Sequence, residues 1–385
     1  SGDDSSTATL QTAPKPSSGP AVVWAKVRIG GEITELQSAL SLFRAETKPI
    51  RTIVDRLDDL SKNPRIAGAL LQFESPQMGF AKIEELVAAI GRFRSAGKRA
   101  VAFISSESAP GYLPATACDE IVLAPSGAVL LAGLSAEAFF FKDLFDKIGV
   151  QGDFVAMGKY KSGAEAMTRN DWSDPARESM SSIVGDMFRQ MVEIIAAGRG
   201  MDPDSIEATL DMGPFTAEDA KRFGLVDRLA YEEDYILDLA ARTGVGFAIE
   251  DSEDSPRGQA ALQTLNPLGF LKLLSPPQKP SRAIGRDPRI AVVYAVGPIL
   301  SVDPGDPFIA QEIVTPKRVI GDLRECLADP LVRAIVLRVD SPGGDATASD
   351  LIWQEIRRIK KQKPVVASMS DTAASGGYYI AMAAD

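Results

Sequence analysis

Two glycine-rich stretches near the end of the sequence carry residue types suited to acyl transfer. Asp371 to Asp385 reads DTAASGGYYIAMAAD, which sets Ser375 between small residues and a glycine pair at the start of an apolar helical pattern. Upstream, AIVLRV runs into DSPGG (residues 340–344) and then into a helical pattern with Ile352, Ile356 and Ile359 on one face. Glycines let backbone N–H groups approach a ligand closely. Two strand ends of this kind, each leading into a helix, can converge their amides on one oxygen, which is what an oxyanion hole requires. Ser375 would stand beside that hole. Each motif alone is common in ordinary loops, and it is their pairing at successive strand ends that points to chemistry.

A serine nucleophile needs a base, and the chain contains no histidine. Triads built on His are therefore excluded. The remaining well-attested base is an unprotonated lysine. An unperturbed lysine, with a pKa near ~10.4, is neutral in only about one molecule in ~2,500 at pH 7, so the base must be desolvated or set beside other cations. Burial is the expected device. Spacing alone does not say which lysine it is.

The elements that must position these residues alternate in type. AVVWAKVRIGGEI reads as a strand entering a glycine turn, followed by a helix around Ile50 to Leu60, the strand IAGALLQF, and the helix AKIEELVAAIGRF with Ile83, Leu86, Val87 and Ile90 at helical spacing. RAVAFI is a further strand, followed by a helix-like stretch up to Cys118. EIVLAP and QGDFVAM read as strands, and DPARESMSSIVGDMFRQMVEIIAAG as a long helix that starts after Ser173 and stops at glycine. Alternation of this kind predicts an α/β fold with a largely parallel sheet. DSEDSPRGQAALQTLNPLGFLKLLSPPQKPSRAIGRDP is broken by Pro and Gly and reads as a connection, with one short helix around Leu268 to Leu274.

After that connection the pattern starts again. RIAVVYAVGPIL echoes the first strand, and the segment from Asp329 to Asp385 can be laid on that from Asn63 to Asp119, an offset of 266 (329 − 63). Ser75-Pro76 then meets Ser341-Pro342, and Gly111-Tyr112 meets Gly377-Tyr378. The first copy has Gln77-Met78 where the second has Gly343-Gly344, and Ala109 where the second has Ser375. The expected organisation is a flexible tether over 1–20, a first repeat domain over 21–247, a connection over 248–288, and the start of a second repeat over 289–385. The second copy is shorter, because the first continues for more than a hundred residues beyond the matching Asp119.

Composition narrows the function classes. Hydrophobic residues make up 45% of the 385-residue chain and charged residues 24%, as in an ordinary folded protein. A formal charge of −10 without a basic stripe argues against a nucleic-acid partner. Cys118 and Cys326 form no disulfide framework and read as small buried hydrophobes. Without histidine the chain offers no transition-metal constellation, and no cofactor or metal is expected. No run is long and apolar enough to span a membrane.

The duplicated pattern, SPGG, ASGGYYIA and FVAMGKYKSGAEAM together resemble signal peptide peptidase A in its long, two-repeat form. That family is a group of serine proteases sharing a fold group with Clp protease and the crotonases. The resemblance covers about Ala21 to Asp385. It implies tandem Clp protease/crotonase-like (ββα superhelix) domains. From the motif Tyr160-Lys161-Ser162 it implies Lys161 as general base for Ser375, with Gly343, Gly344 and the amide of Gly376 as the oxyanion hole. It further implies apolar peptide substrates such as signal peptide remnants and a homo-oligomer. A bacterial inner-membrane anchor outside this sequence, with the catalytic body on the periplasmic side, is implied as well. Two rival readings are a crotonase-like acyl-CoA enzyme using the same oxyanion hole, and a membrane-associated scaffold with an inactive site.

Overall fold

The computed structural model describes residues 23–36, 47–243, 248–251, 287–301 and 313–385. The tether over 1–20, most of the 248–288 connection and the helix expected around Leu268 to Leu274 lie outside the described residues.

The described residues begin with β1 (Val23–Thr34), β2 (Thr47–Pro49), α1 (Ile50–Lys62), β3 (Ile66–Gln77), α2 (Phe80–Ser95), β4 (Arg99–Ser108), α3 (Ala109–Ala115) and β5 (Glu120–Leu130). An arm follows with two short helices, α4 (Lys142–Lys147) and α5 (Glu165–Thr168), and then the long α6 (Asp174–Arg199). Next come α7 (Pro203–Leu210), β6 (Phe215–Thr216), α8 (Ala217–Arg222), β7 (Arg228–Leu229), α9 (Glu232–Thr243) and β8 (Ala248–Asp251). These strands form one sheet in the order β2-β1-β3-β4-β5-β6, with β7 beside β5 and β8 beside β1. Its pairs are parallel except β5 with β6.

Parallel strands are buried on both faces, so this sheet needs cover on each side. On one face the apolar stripes of α1 and α2, among them Leu57, Leu86, Ile90 and Phe93, pack with Ile29, Leu71 and Ile104. On the other, Tyr235 and Leu239 of α9 pack over Trp24, Leu70, Val101 and Phe103. Each large side chain taken out of water here contributes ~1.5–3 kcal/mol, which offsets the backbone entropy lost in ordering the strands.

A second, three-stranded parallel sheet consists of β9 (Arg289–Val296), β10 (Val332–Ser341) and β11 (Val365–Ala373), in the order β11-β10-β9. Its helices are α10 (Pro316–Ala328), α11 (Ala346–Ile359) and α12 (Gly376–Ala381). Val319 and Leu323 of α10 and Ile352, Ile356 and Ile359 of α11 join Ile335, Leu337 and Val339 in its core. The starts of β9, α10, β10, α11 and β11 each fall 266 residues after those of β1, α1, β3, α2 and β4 (for example 289 − 23).

Two expectations are corrected. QGDFVAM forms no strand; residues 151–157 are irregular, and Val155 and Met157 stand in solvent. A β pattern without a neighbouring strand to take up its N–H and C=O groups is not stable alone. Gly30 and Gly31 do not turn the chain either. β1 runs through them with a bulge in its pairing to β3, and Gly31 takes φ 71°. Glycine there supplies the left-handed residue that a bulge requires.

Candidate active site

Strands β10 and β11 lie side by side, and their carboxyl ends carry the two glycine-rich turns. Ser341 pairs with Ala373 at the last step of the ladder, and the Ala374 amide donates to the Ser341 carbonyl over 3.0 Å. The chain then bends sharply at Ser375, with φ 49° and ψ −117°, into α12. A non-glycine residue in that region costs ~1–3 kcal/mol and persists only where neighbours over-determine it. Here the Gly377 amide donates to the Ala374 carbonyl at 2.8 Å, and the Tyr379 amide to the Ser375 carbonyl at 2.9 Å, fixing the turn from both sides. The bend pushes the Ser375 side chain outward, and the residue is exposed.

The SPGG turn packs directly against it. Gly343 and Gly344 have φ 92° and 153°. A Cβ at Gly343 would stand 2.4 Å from the Gly376 nitrogen and 2.8 Å from Ser375 Cβ, so only glycine lets the two turns meet. The turn is stitched to Ile299, whose amide donates to the Gly343 carbonyl (2.8 Å) and whose carbonyl accepts from Asp345 (2.9 Å). The Gly343 amide donates to Ser341 Oγ at 3.1 Å. Of the three amides expected to face an oxyanion, this one is engaged by a neighbouring hydroxyl.

Lys161 comes from the arm after β5. The arm is tied to itself by the Phe141 amide to the Ala166 carbonyl (2.7 Å) and by Asn170 Nδ2 to Asp143 Oδ1 (2.8 Å). It is tied to the start of α6 by Glu165, which accepts from the amide and hydroxyl of Ser173, the residue that caps α6. Tyr160, next to the lysine, donates its hydroxyl to Glu178 Oε2 on α6 at 3.0 Å. Held this way, Lys161 Nζ donates to Ser375 Oγ at 2.9 Å. The two residues named from the sequence, 214 positions apart, touch.

The burial expected for the lysine is not found. Lys161 and Ser375 are both exposed, because the arm crosses outside the core with its own apolar side chains bare. Val155 (103%) and Met157 (96%) are as open as in an extended chain.

Comparison with known proteins bears on this pair. The model of peptidase family S49 matches residues 92–246 and 357–385, and each of the two contacting residues lies in one of those stretches. The serine protease SPPA, chloroplastic, of Arabidopsis thaliana is 31% identical over 94% of this chain and 52% of its own length. Protease 4 of Haemophilus influenzae is 30% identical over 92% of this chain and 57% of its own. The chain is signal peptide peptidase A-like. Protease 4 of Salmonella typhi, 32% identical over 77% of this chain and 46% of its own, is a further relative. This signal peptide peptidase A-like chain spans about half the length of the curated relatives it matches. Among solved structures, an enoyl-CoA hydratase/isomerase family member aligns over 50% of the chain and 64% of its own at 16% identity and a TM-score of 0.31, an overlay too loose to bear on fold or activity.

One feature beside the site was not expected from the sequence. Lys82, in the first turn of α2, is 4% exposed and reaches Asp340 and Asp371, the residues that open the two glycine-rich turns. Arg338 lies next to this group and donates to Glu35, Glu85, Ser368 and Ser370. Burial would lower the Lys82 pKa, but hydrogen bonds to Asp371 and Asp340 outweigh it and raise it. Burial likewise works against the charge on Glu35, and Arg338 and Ser370 overcome it and hold its pKa below the ordinary value. The signal was present in the pattern. Lys82 shares the stripe 82, 86, 89, 93 with the buried Leu86, Ala89 and Phe93, where a lysine requires a partner.

Among the described residues no group of His, Cys, Asp or Glu could hold a metal ion, and no helix is long and apolar enough to cross a membrane.

Proposed function

We propose that the protein is a serine endopeptidase in which Lys161 and Ser375 act as a dyad. The observation that carries this reading is the 2.9 Å contact between Lys161 Nζ and Ser375 Oγ in a chain without histidine. In the neutral amine the direction of that hydrogen bond reverses. The serine hydroxyl donates, and as its oxygen attacks the scissile carbonyl carbon the proton passes to Nζ. The carbonyl oxygen becomes an oxyanion beside Gly343, Gly344 and Gly376, where the Gly343 amide must first exchange its bond to Ser341 Oγ for one to the oxyanion. Lys161 then returns the proton to the departing amine nitrogen, the C–N bond breaks, and an acyl-enzyme remains. A water gives its proton to the same amine and attacks the ester, the bond from the acyl carbon to Ser375 Oγ breaks as Nζ returns that proton to Oγ, and the acid leaves with the serine and the neutral amine restored.

Only a neutral amine can accept the proton, so the dry surroundings that favour it must come from what closes over the pair. A peptide laid across the two turns supplies part of that cover. Val155 and Met157, exposed on the arm that carries the lysine, are apolar side chains without cover and are consistent with an apolar peptide. Signal peptide remnants fit this class. The Protease 4 relatives are bacterial, and the resemblance to signal peptide peptidase A implies an inner-membrane setting with the catalytic body on the periplasmic side, membrane association through a segment outside this sequence, and a homo-oligomer. The common spacing of 266 between the elements of the two sheets supports a tandem duplication in which the second copy carries the nucleophile and the first, over 21–247, the base.

The test is hydrolysis of an internally quenched apolar peptide by the complete gene product, with products identified by mass. Amide cleavage that disappears in Ser375→Ala is the expected result. Cleavage undiminished in that variant would overturn the reading, and so would turnover of acyl-CoA thioesters with no peptide hydrolysis.

A further inference from the structure

The two turns of the candidate site are held in register by a side chain remote from them in sequence. Lys82 Nζ donates to Asp340 Oδ2 at 2.9 Å and to Asp371 Oδ2 at 2.5 Å, with Glu35 Oε1 3.7 Å away. Asp340 immediately precedes Ser341-Pro342-Gly343-Gly344, and Asp371 lies four residues before Ser375. One ammonium therefore bridges the end of the strand that offers the oxyanion amides and the end of the strand that offers the nucleophile. Asp340 adds a direct link, since its Oδ1 accepts from the Thr372 amide at 3.1 Å.

Asp371 does a second job. The residue before α2 is Gly79, which has no side chain to cap the helix, and its φ of −87° is ordinary extended backbone. The Asp371 carboxylate takes that place from the other sheet and accepts from the amides of Gly79 (3.1 Å), Ala81 (3.0 Å) and Lys82 (3.3 Å). A carboxylate at a helix N-terminus meets unsatisfied donors and the positive end of the helix dipole. Asp371 is thereby fixed by three amides and an ammonium, with no freedom to follow a shift of its neighbours.

We propose that Lys82 is a positioning residue for the acylation step, its ammonium setting the separation of Ser375 from the amides of Gly343 and Gly344. This rests on the reading of Ser375 as nucleophile. The geometry favours it over a merely structural role because both contacts at or below 2.9 Å fall on the openings of the two turns. Charge-assisted bonds in low dielectric are stiff, and without the cation Asp340 is repelled by the fixed Asp371 and shifts against the links to the Thr372 and Ala374 amides that remain. Displacements of about 1 Å near reacting atoms cost on the order of 10²-fold in rate.

The test is the time course of labelling by a fluorophosphonate in the complete gene product, which separates the number of competent sites from the rate at each. Lys82→Met is expected to reach the stoichiometry of the parent with a rate constant lower by roughly ten- to a hundredfold. Lys82→Arg should recover part of the rate, and Asp371→Asn, which keeps the shape of the cap, should show a smaller loss. A parental rate constant in Lys82→Met, at full or reduced stoichiometry, overturns the proposal. If Lys82→Met does not fold, Asp371→Asn decides, and a parental rate there overturns it equally. Ser375→Ala separates the two readings. Labelling that survives in it sinks Ser375 as nucleophile, whereas labelling lost in it beside an unchanged rate in Lys82→Met sinks only the role of Lys82.

Discussion

Lys161 Nζ meets Ser375 Oγ at 2.9 Å although the lysine rides on an arm outside the first sheet and the serine on a turn of the second. The contact therefore depends on two assemblies, the arm clamped to α6 and the turns clamped to α2, and each can be tested separately.

The SPGG turn is the most direct place to perturb the second. Gly343→Ala puts a methyl against the Gly376 nitrogen and Ser375 Cβ, at a φ of 92° that alanine avoids. We expect peptide hydrolysis to fall on the order of 10²-fold with the circular dichroism spectrum retained. Activity within about twofold of the parent would show that the turns are not in contact.

The arm clamp is exposed, so its effect should be confined to catalysis. Tyr160→Phe removes the hydroxyl that holds the residue next to Lys161 to Glu178. A single such bond is worth ~0.5–1.5 kcal/mol, which predicts a loss of a few-fold to about tenfold in kcat with the melting temperature unchanged. Steady-state kinetics beside a thermal melt checks it.

Base strength should appear in the pH profile. If the base must be a neutral amine before Ser375 can attack, activity rises from neutral toward alkaline pH. A flat profile from acid to alkali would speak against a lysine base.

Stability has an independent pH signature in the first sheet. Burial pushes the Glu107 carboxyl up to about 7, with the Ser75 amide, donating to it at 2.8 Å, pulling the other way. The folded chain thus keeps a proton that the unfolded chain releases near 4.5. The associated stability is full below 4.5 and is lost as pH rises through about 7, by roughly 3 kcal/mol at ~1.4 kcal/mol per pH unit between the two values. Urea unfolding of Glu107→Gln should lack that decline. The group around Lys82 behaves in the opposite sense at low pH. Glu35 is held below its ordinary value, so its contribution is present above 4.5 and fades as acid protonates it. Arg338→Ala, which leaves Glu35 with the Ser370 hydroxyl and the Lys82 ammonium 3.7 Å away, should cost about 1.5–3 kcal/mol at neutral pH.

Much of this was legible because the relevant signals are local. Apolar spacing at 352, 356 and 359 places α11, Ser173 and a glycine bracket α6, and glycines at 343, 344, 376 and 377 mark two turns that must approach something. QGDFVAM misled because alternation describes what a strand would bury and says nothing of whether a neighbour exists to pair with it. The burial of Lys161 failed for the related reason that exposure is a property of the assembled surface. Lys82 breaks an apolar stripe, but its partners Asp340 and Asp371 lie 258 and 289 residues away, beyond the reach of any local pattern.

The measurement that tests the central pairing most directly is mass-spectrometric mapping of a serine-directed fluorophosphonate on the complete gene product, in the parent, Ser375→Ala and Lys161→Ala. The pairing predicts one adduct, on Ser375, absent from Ser375→Ala and slowed by several orders of magnitude in Lys161→Ala. An adduct on another residue, or labelling of Lys161→Ala at the parental rate, would contradict it.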